Sequence, residues 1–257
     1  MISLEQLKFF SKEYKINESI VAREFVQVTF LKELYEQRFS KQVFFKGGTA
    51  IKLIYGGKRF SEDLDFTVTL SEKLFMNKLN VFFKQLSGKY PFTFKGKEAL
   101  SGKTFLLTAD IPNLNSRSYV KLDFSMRENV LSPAQEVLKT NYPIIVQSFI
   151  NCLSKDEIFA EKIRAILNRE KHRDLYDLWV LYELGASPSK DLINKKLGFY
   201  GEKYDRKLLL ESLKKFKKAD FVQELKPFVS INERGKLGDL FDYINKYLTD
   251  SFAKLWE

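Results

Sequence analysis

Two short stretches carry residue types that could do chemistry together. The first is Phe45-Lys46-Gly47-Gly48-Thr49-Ala50, and the second is Arg59-Phe60-Ser61-Glu62-Asp63-Leu64-Asp65-Phe66. Two glycines between a strand and a helix let backbone N–H groups approach a phosphate closely, and a helix N-terminus adds partial positive charge. Thr49 is placed to give its hydroxyl to the same phosphate. Asp63 and Asp65 stand at i and i+2, so on a strand they face one side, about 7 Å apart at Cα. Ser61, two residues earlier, faces that side too if the segment is extended. Paired carboxylates of this kind suit divalent cations, and two such ions can clamp the attacking and leaving oxygens of a phosphoryl displacement. Alone, a Gly-Gly turn is usually a loop device and an Asp-x-Asp pair a solvated strand face. Their combination in this order is far more specific.

Two further constellations lie downstream. Val120-Lys121-Leu122-Asp123-Phe124 is a short apolar strand with an acid in its middle. Asp110 also ends a strand, but it precedes Ile-Pro and reads as the start of a turn, so it ranks below Asp123. Glu157-Ile158-Phe159-Ala160-Glu161-Lys162-Ile163 is helical, and Lys162 can reach from it as a point charge toward phosphate oxygens. His172-Arg173-Asp174-Leu175-Tyr176-Asp177-Leu178 follows on another helix, where Asp174 and Asp177 share a face. A charged hydrogen bond donated to Asp174 would hold Lys162 or Arg173 in place. His172 reads as a helix-surface residue and Cys152 as a buried one.

The elements that must position these residues follow from hydrophobic period. Residues 3–39 predict two helices, the second capped by Asn17 and carrying Ile20, Val21, Phe25, Val28, Leu31 and Leu34 at helical spacing. Strands are expected at 43–46, 64–69, 90–96, 103–110 and 119–125, with turns at Gly102 and Pro112-Asn113. Helices are expected at 49–55 and 71–87. From about Ser154 onward the pattern is helical and rich in lysine. The expected division is residues 1–150, with helices and an α/β core, and residues 151–257, a helical region.

Composition narrows the classes. The chain has 257 residues, 44% apolar and 30% charged, an ordinary globular balance. One cysteine and one histidine leave no Cys-based zinc site and no His-rich metal site, so a metal here must sit on carboxylate oxygen, as Mg²⁺ or Mn²⁺ do. Lys and Arg outnumber Asp and Glu 43 to 33, a net charge of +10 that favours phosphate polyanions as partners. No apolar run is long enough to span a bilayer, and MISLEQLKFFSKEYK does not read as a secretion signal, so a cytoplasmic protein without membrane contact is expected.

The stretch GGTAIKLIYGGKRFSEDLDF resembles the signature of the AbiEii/AbiGii toxin family, within the DNA polymerase β-like nucleotidyltransferase superfamily. The match covers roughly residues 43–183. The resemblance implies an α+β fold: a mixed-sheet nucleotidyltransferase core with flanking helices and a helical C-terminal region that completes the nucleotide site and contacts acceptor or partner. It implies that Asp63, Asp65 and Asp123 hold Mg²⁺ or Mn²⁺, Asp123 also serving as base. It implies catalytic roles for Lys162 and Asp174. It implies nucleotide binding by Gly47, Gly48, Thr49, Arg59, Ser61 and Lys162. The implied reaction moves a nucleoside monophosphate from a nucleoside triphosphate to an acceptor hydroxyl, the 3′ end of tRNA in some members. The implied context is a type IV toxin–antitoxin or phage-abortive system with a cognate antitoxin. A transferase acting on a protein or small molecule is the first alternative. A non-catalytic RNA- or partner-binding module is the second, although it would have no need of the three acids.

Overall fold

The computed structural model describes residues 2–97, 102–111 and 117–254. The turn expected at Pro112-Asn113 lies outside them. Two units emerge from the packing: Met1–Gly56 with Phe60–Leu153, and Gly57–Arg59 with Ser154–Glu257.

The first unit opens with α1 (Leu4–Tyr14), started by a Ser3–Gln6 capping box, and α2 (Glu18–Tyr35), capped by Asn17. Every apolar residue expected on α2 is buried, and so are Glu24, Gln27, Thr29 and Glu33, as befits a helix enclosed on nearly all sides. Next come β1 (Val43–Lys46), α3 (Gly47–Leu53), β2 (Asp63–Val68), α4 (Glu72–Lys89), β3 (Phe92–Lys97), β4 (Lys103–Asp110), β5 (Arg117–Ser125), β6 (Pro133–Glu136) and β7 (Ile150–Leu153). The strands form one seven-stranded mixed sheet in the order β3-β4-β5-β2-β1-β7-β6. The β2–β5 and β1–β7 pairs are parallel and the others antiparallel. The β6–β7 pair was not expected from the sequence.

Phenylalanine fixes the register of the central strands. Phe45 of β1 lies opposite Phe66 of β2, and Phe66 lies beside Phe124 of β5. Their rings are in contact, at 5.5 Å for Phe45–Phe66 and 4.9 Å for the stacked Phe66–Phe124 pair. Phe30 of α2 and Phe75 of α4 cover the same face. All of these rings are fully buried. Each contributes roughly 1.5–3 kcal/mol by leaving water. Side chains alternate along a strand, so a slip of one residue would turn this aromatic face outward. By the same alternation, Lys46, Asp65 and Asp123 are set in one row on the opposite face.

The second unit is helical: α5 (Lys155–Asn168), α6 (His172–Glu183), α7 (Lys190–Gly198), α8 (Arg206–Leu213), α9 (Lys218–Leu225), α10 (Ile231–Arg234) and α11 (Leu237–Lys254). The apolar stripe of α11 is Leu237, Phe241, Ile244, Leu248 and Phe252, all buried. Lys196 of α7 is buried against two acids of α5, 3.1 Å from Glu157 and 2.9 Å from Glu161. No helix among the described residues is long and apolar enough to cross a membrane.

Candidate active site

The row of acids begins where the aromatic ladder ends. Parallel pairing sets Asp65 beside Asp123 and Asp63 beside Lys121. Gly47 follows β1 at φ +80°, a backbone conformation open to glycine. A Cβ at Gly47 would run into Oδ2 of Asp65, so the glycine lets backbone press against the carboxylate. Gly47 and Gly48 form the first turn of α3, slightly earlier than the helix start expected at Thr49. Thr49 is buried, and its hydroxyl donates to the backbone carbonyl of Asp63. The proton expected to face a phosphate is thereby committed to β2, and what Thr49 offers a ligand is backbone. The segment leading into β2 is tied to α2 by Gln27, which donates to the Ser61 carbonyl at 3.2 Å, and by the Arg23–Glu62 ion pair at 3.1 Å.

Asp123 is held on both oxygens. Thr104 of β4 donates its hydroxyl to Oδ1 at 2.7 Å, and Lys121 donates Nζ to Oδ2 at 2.6 Å. Partial burial alone would lower the Lys121 pKa, but the hydrogen bond to Asp123 and the charges of Asp123, Asp63 and Asp65 raise it. Asp110, the rival third acid, lies on β4 six residues beyond Thr104, about 20 Å along the strand. It forms an exposed pair with Arg117 at 2.8 Å. Among the described residues no three Asp, Glu, His or Cys side chains are drawn together tightly enough to hold one ion. The donor chemistry of Asp63, Asp65 and Asp123 nonetheless fits a hard cation, because all three offer carboxylate oxygen from adjacent strands.

A buried charge network occupies the second unit. Arg59 grips Asp177 with two parallel bonds, Nε to Oδ1 and Nη2 to Oδ2, both 2.6 Å. Lys162 Nζ lies 2.6 Å from both Asp174 Oδ1 and Asp177 Oδ2. Arg169 closes on the other oxygen of Asp174 at 2.8 Å. The partner of Asp174 beyond Lys162 is thus Arg169, whereas Arg173 lies over the Phe228 ring at 4.9 Å. Burial pushes both carboxyls up, but Lys162 and Arg169 hold Asp174 well below the usual carboxylate range, and Arg59 and Lys162 likewise lower Asp177. Burial would discharge Lys162, and its two carboxylate partners raise its pKa instead.

His172 corrects an expectation. It is buried rather than on the helix surface. Its Nε2 accepts the backbone N–H of Lys217 at 3.1 Å, which leaves Nδ1 to donate to Glu224 at 3.0 Å. Both nitrogens therefore serve packing between α6 and α9, one at the residue that caps α9 and one in its last turn. Cys152 is buried on β7, as expected. The sequence offered no sign that Asp177, Arg169 and Thr104 would be the partners of its chosen residues, since these contacts join separate elements.

Glycine backbone pressed against Asp65, on a mixed sheet that sets Asp65 beside Asp123, is an arrangement suited to phosphoryl chemistry. Residues 29–244 match the family described as nucleotidyl transferase AbiEii toxin, type IV TA system, and the chain belongs to that family. It is therefore a nucleotidyltransferase toxin of a type IV toxin–antitoxin system. Among solved structures it is similar to the nucleotidyltransferase toxin MenT4 of Mycobacterium tuberculosis H37Rv, with a TM-score of 0.69 and 16% identity, over 100% of this chain and 95% of that one. It is also similar to JHP933 of Helicobacter pylori, with a TM-score of 0.55 and 18% identity, over 93% of this chain and 95% of that one. At such identities these structures speak to the fold. No curated protein sequence matches the chain.

Proposed function

We propose that the protein attaches a nucleoside monophosphate to the 3′ end of tRNA, using Mg²⁺ or Mn²⁺ held by Asp63, Asp65 and Asp123. The observation that carries this reading is the β2–β5 register, which lines up Asp65 with Asp123 two residue pairs from Asp63, on the same face of the sheet. Such a cation would neutralise charge on the triphosphate oxygens. The chain's own groups do the rest. Backbone at Gly47, Gly48 and Thr49 approaches the phosphates, with Ser61 beside the acids. Asp123 takes the proton of the acceptor hydroxyl. The hydroxyl oxygen bonds to the α-phosphorus while the bond from that phosphorus to the β-phosphate oxygen breaks, releasing pyrophosphate. Positioning and charge neutralisation supply the rate.

Lys162 is the cation we assign to the triphosphate, and Asp174 keeps its ammonium charged and aimed. Arg59 joins the nucleotide-binding set through its hold on Asp177, which shares Lys162 with Asp174. The lysine-rich helical region is assigned to the RNA acceptor or to an antitoxin, and a tRNA substrate sets the site of action in the cytoplasm.

The test is incubation of the pure protein with total tRNA, Mg²⁺ and each α-³²P nucleoside triphosphate in turn. RNase-sensitive label is expected with the parent chain and at least a hundredfold less with Asp63→Ala, about what removing a group that stabilises transition-state charge costs. Label on protein or a small acceptor would move the substrate and keep the chemistry. RNA binding without label in any reaction would favour a binding module.

A further inference from the structure

Lys121 stands on the same face of the sheet as the acids. Lys121 precedes Asp123 by two residues on β5, so both side chains leave the same face. Lys121 is the neighbour of Asp63 across the strand pair, and its ammonium reaches along the face to Asp123 Oδ2 at 2.6 Å. The other oxygen of Asp123 takes the Thr104 hydroxyl. These two donors differ in kind. A hydroxyl leaves the carboxylate its charge and can remain in place while a cation uses a second lone pair, as outer partners of metal-binding carboxylates do. An ammonium competes for the negative charge itself, and at contact distance it repels a divalent ion strongly. Lys121 also has somewhere to go, because its side chain is 41% exposed.

We infer that Lys121 and a divalent cation compete for Asp123, so that loading the third carboxylate requires Lys121 to let go of it while Thr104 keeps it oriented. Lys121 then acts as a positioning residue that sets the metal affinity of the site. This rests on the metal-dependent reading above, and it adds that the chain lowers its own affinity for metal.

The experiment is Mn²⁺ titration of the full chain, followed by electron paramagnetic resonance of the free ion, for the parent protein, Lys121→Met, Thr104→Val and Asp63→Ala. Lys121→Met should bind Mn²⁺ about tenfold more tightly, the factor expected for removing one charge-assisted hydrogen bond at a partly exposed site. Thr104→Val should bind no more tightly than the parent. Binding that Asp63→Ala abolishes and Lys121→Met leaves unchanged or weaker would overturn the competition and spare the metal site. No binding by the parent or by Lys121→Met would overturn both. A second readout needs no variant. Acylation of Lys121 by an amine-reactive ester, followed by peptide mass spectrometry, should speed up when Mg²⁺ is added to the parent chain. Unchanged acylation would overturn the competition.

Discussion

Gly47 shows how one missing side chain serves two ends. Its φ of +80° is costly for any residue with a Cβ, and a Cβ there would clash with Oδ2 of Asp65. Gly47→Ala should therefore lower stability by about 1–3 kcal/mol through backbone strain. It should also displace the Asp65 carboxylate and abolish nucleotide transfer. Gly56 provides the control, because it shares a positive φ of +85° and its added Cβ would meet only Lys139 Nζ, at 3.9 Å. Gly56→Ala should lose similar stability in urea denaturation and keep its activity. Equal loss of activity in the two variants would mean that strain, not proximity to Asp65, is what Gly47 relieves. At this scale the acids and glycines were legible in the sequence, because Gly-Gly and Asp-x-Asp are local patterns. The cations were less so. Arg59 and Lys162 announce a positive charge, but their partner Asp177 is 118 residues from Arg59 and carries no mark of that pairing.

At the scale of elements, α5 and α6 are joined through Lys162, Asp174 and Asp177, with Arg59 and Arg169 as outer partners. Both carboxyls have folded pKa values below those of the unfolded chain, near 3.9. As pH falls through that region the unfolded chain takes up protons that the folded one refuses, so stability falls. The contribution is fully present above about pH 5 and is lost progressively below it. Asp177→Asn should flatten this acid dependence in urea unfolding between pH 3 and 7. It should also cost up to roughly 3–5 kcal/mol at neutral pH, because Arg59 and Lys162 lose a buried counter-charge. An unaltered pH profile would show that the pair does not govern acid stability. Elements with a clear period were legible, as in α4, where Phe75, Leu79, Phe82, Phe83 and Leu86 form one buried stripe. The β6–β7 pair was not. β6 reads Pro-Ala-Gln-Glu, a polar edge strand that begins on proline. β7 is four residues buried on both faces, without alternation to distinguish it from a piece of helix. Its parallel pairing with β1 joins Phe45 to Cys152, a contact no local pattern encodes.

For the whole molecule, the net charge of +10 makes salt the natural probe of an RNA partner. If about four phosphates are contacted, raising salt from roughly 50 to 200 mM should weaken tRNA binding about a hundredfold. Exposed Lys214 and Lys215 are the first candidates, and changing both to alanine should make the salt dependence shallower by nearly two phosphate contacts. A slope that does not move in a filter-binding titration would assign the contacts elsewhere. The same chain carries its own clock for opening. Cys152 is its single thiol, fully buried beside Phe45, with the Tyr55 hydroxyl 3.5 Å from its sulfur and burial pushing its pKa up to about 11. Thiolate is the reactive form, so the closed sheet hides the sulfur twice, from contact and from ionisation. Reaction with an aromatic disulfide should thus await the parting of β7 from β1, at a rate that reports how often the strand leading to Gly47 comes loose. A cysteine added at an exposed position would then take a dye ahead of the native thiol, leaving Cys152 unmodified in the folded protein.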